Sequence, residues 1–272
     1  MFLYMNFNLA TEDKLRHVLI IGENKNNCTS IIQNLILEDI NNNTGAVYIT
    51  TTKLNVEQLV TSSDNSSNII VFPIKKGFDI AESIYRIKEI NLRALMDNGK
   101  VFVVQYDNGI KNIEDIIKLN KLILNNIIEH AFARIDGKEY DQNHDLIDKN
   151  LNHLGALKRK PFFIYIEDCE QYLNKELIVA LMEIRLKKVG MILGLISNGK
   201  IDNDDQKIDA ILSNSGSIIV LKSREEDILT LDLKNKSVFN IKADISNLKN
   251  NECVARIIKD GTKGPEIKII IE

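Results

Sequence analysis

Short apolar runs alternate with longer helical periods through most of the chain. LRHVLIIG (15–22), GAVYIT (45–50), NIIVFPI (68–74), KVFVVQY (100–106), PFFIYIE (161–167), 190–196 and 217–221 are apolar enough to be strands covered on both faces. Helical spacing predicts helices over about 29–40, near 55–61, and over 79–96, 113–134, 174–188, 206–213 and 224–231. The pair ECVARII and EIKIII around KDGTKGP predicts a terminal hairpin. Strand–helix alternation of this kind points to an α/β fold with a mainly parallel sheet. With no internal repeat and no Gly/Ser linker, one domain over 1–272 is expected, and the polar segment 137–150 is expected to be a loop or flexible insertion.

Composition narrows the functional classes. The 272 residues are 44% hydrophobic and 27% charged, with three prolines, as in a packed globule rather than a disordered chain. A net charge of −3 supplies no general basic field for nucleic acid or anionic membrane, although a ring that grips DNA through local loops tolerates such a charge. Cys28, Cys169 and Cys253 are far apart, and the four histidines make no zinc signature, so a reducing cytoplasm without a metal cluster is the plain expectation. No apolar run reaches the length of a transmembrane span, and the first residues do not read as a signal peptide.

Two places carry candidate chemistry. After the first strand comes GENKNNCT (22–29), in the strand–loop–helix context of a phosphate-binding G-x-x-x-x-G-K-[ST] loop. Gly22 and Thr29 match, Asn27 stands for the second glycine and Cys28 for the lysine. Asn tolerates a left-handed turn, but a thiol supplies no cation. Lys25 would then have to reach a phosphate from another direction, and backbone N–H groups at the helix start would still favour an anion. The alternative is an ordinary polar connection. Cys28 is either a thiol activated by the helix start or, more simply, an inert half-buried side chain.

The second place is Glu167–Asp168, at the carboxyl end of a buried strand, where parallel α/β sheets bind their ligands. Such a pair either holds Mg²⁺ and orients a water or caps the next helix. Arg185, in MEIRLKK near the end of that helix, either reaches a phosphate or simply complements the helix dipole.

Taken in order, these segments resemble the motor domain of the TraG/TraD-type conjugative coupling proteins, within the HerA/FtsK superfamily of RecA-like DNA-pumping ATPases. RHVLIIGENKNNCTSIIQNLILEDI resembles the family's Walker A strand and helix, PFFIYIEDCEQYL its Walker B segment, and MEIRLKKVGMIL its "sEARKygl-l" stretch. RALMDNGKVFVVQYDNG, AFARID, ILSNSGSIIVLKSREED and DISNLKNNECVARIIKDG align with further blocks over nearly the whole chain. The departures are the Walker A lysine and central glycine, a reversed Walker B pair, TTTKL (50–54) in place of "DPxGD", and Ile196 where a sensor glutamine stands. The family's inserted helical domain is largely absent between Phe72 and Arg93.

The resemblance implies a RecA-like three-layer sandwich, ATP and Mg²⁺ as cofactors, a homo- or hetero-hexameric ring, DNA as cargo, and secretion-complex partners at the inner face of the membrane. It implies nucleotide contacts from Gly22, Lys25, Asn27, Cys28 and Thr29, metal contacts from Glu167 and Thr29, and catalytic roles for Asp168 and Arg185. The departures together point to impaired or lost hydrolysis. The competing readings are an active translocase, a non-catalytic structural or regulatory subunit, and a mobile-element remnant.

Overall fold

The computed structural model describes residues 9–51, 59, 66–107, 109–134, 139–140, 146–147, 160–196, 205–223 and 245–270. A short helix α1 (Thr11–Lys14) leads into strand β1 (Val18–Gly22), and the helix α2 (Lys25–Asn41) returns the chain to β2 (Gly45–Ile49). Then come β3 (Ile69–Ile74), α3 (Ile80–Lys88), α4 (Leu92–Asn98), β4 (Val101–Tyr106) and α5 (Ile113–Phe132). A two-stranded ribbon, β5 (Glu139–Tyr140) with β6 (Leu146–Ile147), lies inside the segment expected to be a loop. The order continues with β7 (Phe162–Ile166), α6 (Lys175–Glu183), β8 (Val189–Ile196), α7 (Asp205–Asn214), β9 (Ser217–Leu221), β10 (Glu252–Lys259) and β11 (Thr262–Ile270).

Nine strands form one sheet in the order β11-β10-β9-β1-β8-β7-β2-β4-β3. The pairings from β9 through to β3 are parallel, and the terminal hairpin adds β10 and β11 antiparallel. Strands β1, β2, β7, β8 and β9 are buried at every position. Alternate side chains therefore feed two cores. Val18, Ile20, Tyr48 and Tyr165 pack under α2, while Leu19, Ile21, Val47 and Ile166 pack under α5 and α6. Two of the three prolines, Pro73 and Pro265, fall on the edge strands β3 and β11, where a missing N–H costs least and deters pairing with another chain.

The main differences from expectation are at helix ends. The helix expected over 79–96 is two helices, because Asn91 caps a new start by accepting from the Ala94 N–H at 2.9 Å. α4 then ends at Gly99, whose φ of 70° is the left-handed stop that glycine adopts freely. The helix expected to reach 188 gives way after Glu183 to one 3₁₀ turn, Ile184–Lys187. The helices expected near 55–61 and over 224–231 lie outside the described residues, apart from helical Leu59.

Candidate functional site

The strand order brings the two candidate segments together. β7 stands one strand away from β1, and both end at the same carboxyl edge, so Gly22 and the Glu167–Asp168 pair face one locale. Lys25 Nζ donates to Asp168 Oδ2 and, at 3.0 Å, to Thr51 Oγ1, which itself lies 3.1 Å from Asp168 Oδ2. Thus Lys25, Thr51 and Asp168 form one cluster built from the start of α2 and the residues that follow β2 and β7.

The turn after β1 is not the open loop expected. α2 begins at Lys25, four residues before Thr29, and Asn24 is its N-cap. The Asn24 side chain accepts from the Asn26 N–H at 2.9 Å, and its carbonyl accepts from the N–H groups of Asn27 and Cys28. The N–H groups of Asn26, Asn27 and Cys28, which a phosphate at the helix start would use, are therefore already bonded within the turn. Asn27 is helical rather than left-handed; its side chain donates to the Asn250 carbonyl at 3.1 Å, tying α2 to the approach of β10. Thr29 lies half-buried in the same helix.

Cys28 is buried, and its Sγ closes the space beside Gly22. A Cβ on Gly22 would sit 3.1 Å from that sulfur and 3.0 Å from Leu221 Cβ. A side chain at position 22 would have to push Leu221 and Cys28 aside by a few tenths of an ångström, and the thiol occupies the hollow of the cradle. Burial, followed by the charges of Asp168, Glu167 and Glu170, pushes the thiol well above its ordinary range. Cys28 is therefore a neutral packing group, the inert alternative.

The acids are positioned by alternation along β7. Glu167 lies on the α2 face, where its oxygens accept from the hydroxyls of Tyr48 and Thr50. Asp168 turns out of the strand at φ 50°, a conformation Asp adopts more readily than most residues. It makes no side-chain cap on the 3₁₀ turn Cys169–Tyr172, and α6 is capped by Asn174 instead, which decides against the capping alternative. Asp168 is buried and its Oδ1 has no hydrogen-bond partner. Glu170 follows; burial raises its pKa to about 7, and its Oε2 accepts from the Ile196 N–H at 3.5 Å.

Arg185 does not join this cluster. It precedes β8, at the amino edge of the sheet, exposed in the 3₁₀ turn; its carbonyl accepts from the Lys188 N–H at 2.9 Å. The expectation that it senses phosphate within its own chain is therefore corrected, because strand direction puts it at the opposite end. Residues that motif spacing did not single out complete the site. Asn120 from α5 donates to the Thr50 carbonyl at 2.8 Å and to Tyr172 at 3.2 Å, and accepts from Tyr106. It clamps the ends of β2 and β4 to the turn after β7. A polar Asn on the buried stripe of α5 was the available signal.

Mg²⁺-bound triphosphate does not fit these residues as placed. Three helix-start N–H groups are already bonded, a buried thiol stands at the position the loop resemblance gives to a lysine, and hydroxyls and an ammonium already contact oxygens of Glu167 and Asp168. Among the described residues no group of three or more His, Cys, Asp or Glu is arranged to hold a metal. A cavity of about 280 Å³ lies at the ends of β3 and β4, lined in part by Lys75 and Asp107, and does not include the acid pair.

No protein-family model matches the sequence, and no curated protein matches it as a relative. Solved structures match the fold. The bacterial conjugative coupling protein TrwBdeltaN70, in an unbound form, superposes with a TM-score of 0.61 at 10% identity, covering 97% of this chain and 86% of that one. TrwB in complex with the non-hydrolysable GTP analogue GDPNP gives 0.59 at 10% identity, over 97% and 87%. The genome packaging NTPase B204 from Sulfolobus turreted icosahedral virus 2, in complex with AMPPCP, gives 0.47 at 10% identity, over 91% and 95%, a superposition too loose to argue from. Among the described residues no helix is long and apolar enough to cross a membrane. The likeness to TrwB and the strand order together establish a RecA-like P-loop NTPase fold with an added C-terminal hairpin.

Proposed function

We propose that this chain is a RecA-like domain of the conjugative coupling-protein type that has kept the motor scaffold and lost ATP turnover. It acts as a structural or regulatory subunit of a DNA-handling secretion assembly. The observation that carries this reading is the Lys25–Asp168 contact beside a buried, neutral Cys28. The carboxylate that would orient a water is held by an ammonium, and the lysine that would meet a phosphate is a packed thiol. Removing one preorganised electrostatic donor commonly costs about 10²–10³ in rate, and here several are replaced at once.

In this reading the chain's own residues bind and position rather than react. Lys25 and Thr51 fix Asp168, Tyr48 and Thr50 fix Glu167, and Asn120 holds the two strand ends that present them. Gly22, Asn27, Cys28 and Thr29 form the wall of a closed cradle. The subunit joins a homo- or hetero-oligomeric ring, with Arg185 facing a neighbouring subunit; its exposure at the amino edge suits that role.

ATP turnover by the wild type is expected to equal that of Asp168→Asn, with no thermal shift on adding Mg²⁺ and ATP. Turnover clearly above the Asp168→Asn control would overturn the proposal in favour of an active DNA translocase. The pair Asn27→Gly with Cys28→Lys tests whether the cradle can be reopened. DNA binding is read separately, as the slope of affinity against salt.

A further inference from the structure

We infer that the Lys25 ammonium is a built-in counter-ion for the acids at the carboxyl edge, standing where a metal-dependent site of this fold would place a divalent cation. The inference deepens the non-hydrolysing reading and rests on it. Three acids, Glu167, Asp168 and Glu170, lie within four residues at the end of β7, and the first two are buried. A buried carboxylate pair requires compensation, by cation or by hydrogen bond. Each acid has a different solution. Glu167 is answered by neutral donors, the hydroxyls of Tyr48 and Thr50. Asp168 is answered by charge, because Lys25 leaves the first turn of α2 and ends on its Oδ2.

The same contacts disfavour a small divalent ion. Mg²⁺ requires near-octahedral oxygen ligation and binds through carboxylate lone pairs. At Asp168 the ammonium holds Oδ2, leaving Oδ1 buried and unbonded. A cation at Oδ1 would share one carboxylate with the Lys25 ammonium on Oδ2, so the two positive charges compete for the same acid. Only two residues separate Lys25 from Cys28, and the positive charge of the turn lies on the acid it faces, not in the cradle interior. This makes the fold self-sufficient in charge, without metal.

Mn²⁺ as the bare ion, followed by its free-ion paramagnetic resonance, tests this alongside thermal unfolding with Mg²⁺ or EDTA. Wild type is expected to bind no Mn²⁺ at this edge and to unfold at the same temperature in both solutions. Lys25→Met keeps the stem and removes the charge; it is expected to bind Mn²⁺ at least about tenfold more tightly and to gain stability from it. Lys25→Arg is expected to behave as wild type. Mn²⁺ binding by wild type equal to that of Lys25→Met overturns the inference. Where Lys25→Met alone does not fold, the double variant with Asp168→Asn, lacking both charges, is expected to fold; a double variant as unstable as the single one overturns it. Tight Mn²⁺ binding without ATP turnover would sink this inference and leave the proposed function standing. Turnover without Mn²⁺ binding by the free protein would sink the proposed function.

Discussion

His17 shows how a buried titratable side chain serves the fold rather than a reaction. It enters β1 at φ 65°, its Nε2 donates to the Leu181 carbonyl at 2.9 Å, and its Nδ1 accepts from the Met191 N–H at 2.9 Å. Both bonds require a neutral ring with its proton on Nε2. Burial lowers its pKa to about 4, with Arg185 adding to the shift and the Leu181 bond opposing it. A depressed folded-state value means the contribution is complete above the unfolded value near 6.5 and is lost as pH falls through 4. That loss is about 3 kcal/mol. Glu170 has the opposite sign: raised to about 7 by burial, its contribution is complete below 4.5, is lost as pH rises from 4.5 to 7, and changes no further above that. Between about pH 4.5 and 6.5 the two slopes oppose each other, so Glu170→Gln is expected to make thermal stability rise more steeply with pH across that window. A Glu170→Gln profile identical to wild type would refute the assignment. None of this is legible in the sequence, where four histidines without metal spacing carry no signal and Glu170 is one more acid beside two others.

At the scale of elements, the interior strands were legible and the helix starts were not. A strand buried on both faces writes a continuous apolar run, so β1, β2, β4, β7, β8 and β9 lie within a few residues of expectation. Helix starts depend on which side chain caps, and that signal competes with periodicity. The apolar period of α2 begins at Ile31, yet the helix begins at Lys25 because Asn24 caps it within a run of polar residues. The error had a functional consequence, since four residues assigned to an open loop are wound into the helix. Asn24→Ala is expected to cost about 1 kcal/mol in denaturant unfolding, the usual worth of a cap. It is also expected to speed amide exchange at Asn26, whose N–H loses its acceptor. Unchanged exchange there would mean the turn is held by something other than its cap. The sequence lets Lys25 enter the site from a direction other than the motif lysine's; its partner, an acid rather than a phosphate, depends on tertiary approach of α2 to β7 and has no sequence signature.

Across the whole molecule the two ends of the sheet are built differently. Among the described residues the carboxyl edge collects acids that Lys25 clasps. The amino edge is stapled by buried cations that serve packing. Lys14 bonds Asp39, which also accepts from Tyr165, joining α1, α2 and β7 under the sheet. Arg134, after α5, donates to Asp97 and to the carbonyls of Lys160 and Lys187, so one guanidinium gathers α4, the start of β7 and the turn before β8. The planar five-donor fork of Arg suits such convergence. Arg134 is buried while Asp97 is 40% exposed, so the two partners of this ion pair are not equivalent. Removing the Asp97 charge leaves the guanidinium its carbonyls and leaves water access to its partner, and Asp97→Asn is expected to cost less than about 1 kcal/mol. Arg134→Met strands buried carbonyls from two segments and is expected to cost about 3 kcal/mol. Equal costs for the two would mean the ion pair, not the gathering of chain ends, holds that edge. The sheet needs such a staple because its last strands come from distant parts of the chain. With the amino ends fixed, the carboxyl ends of β1, β7 and β2 stay in register, and that register keeps Lys25 against Asp168.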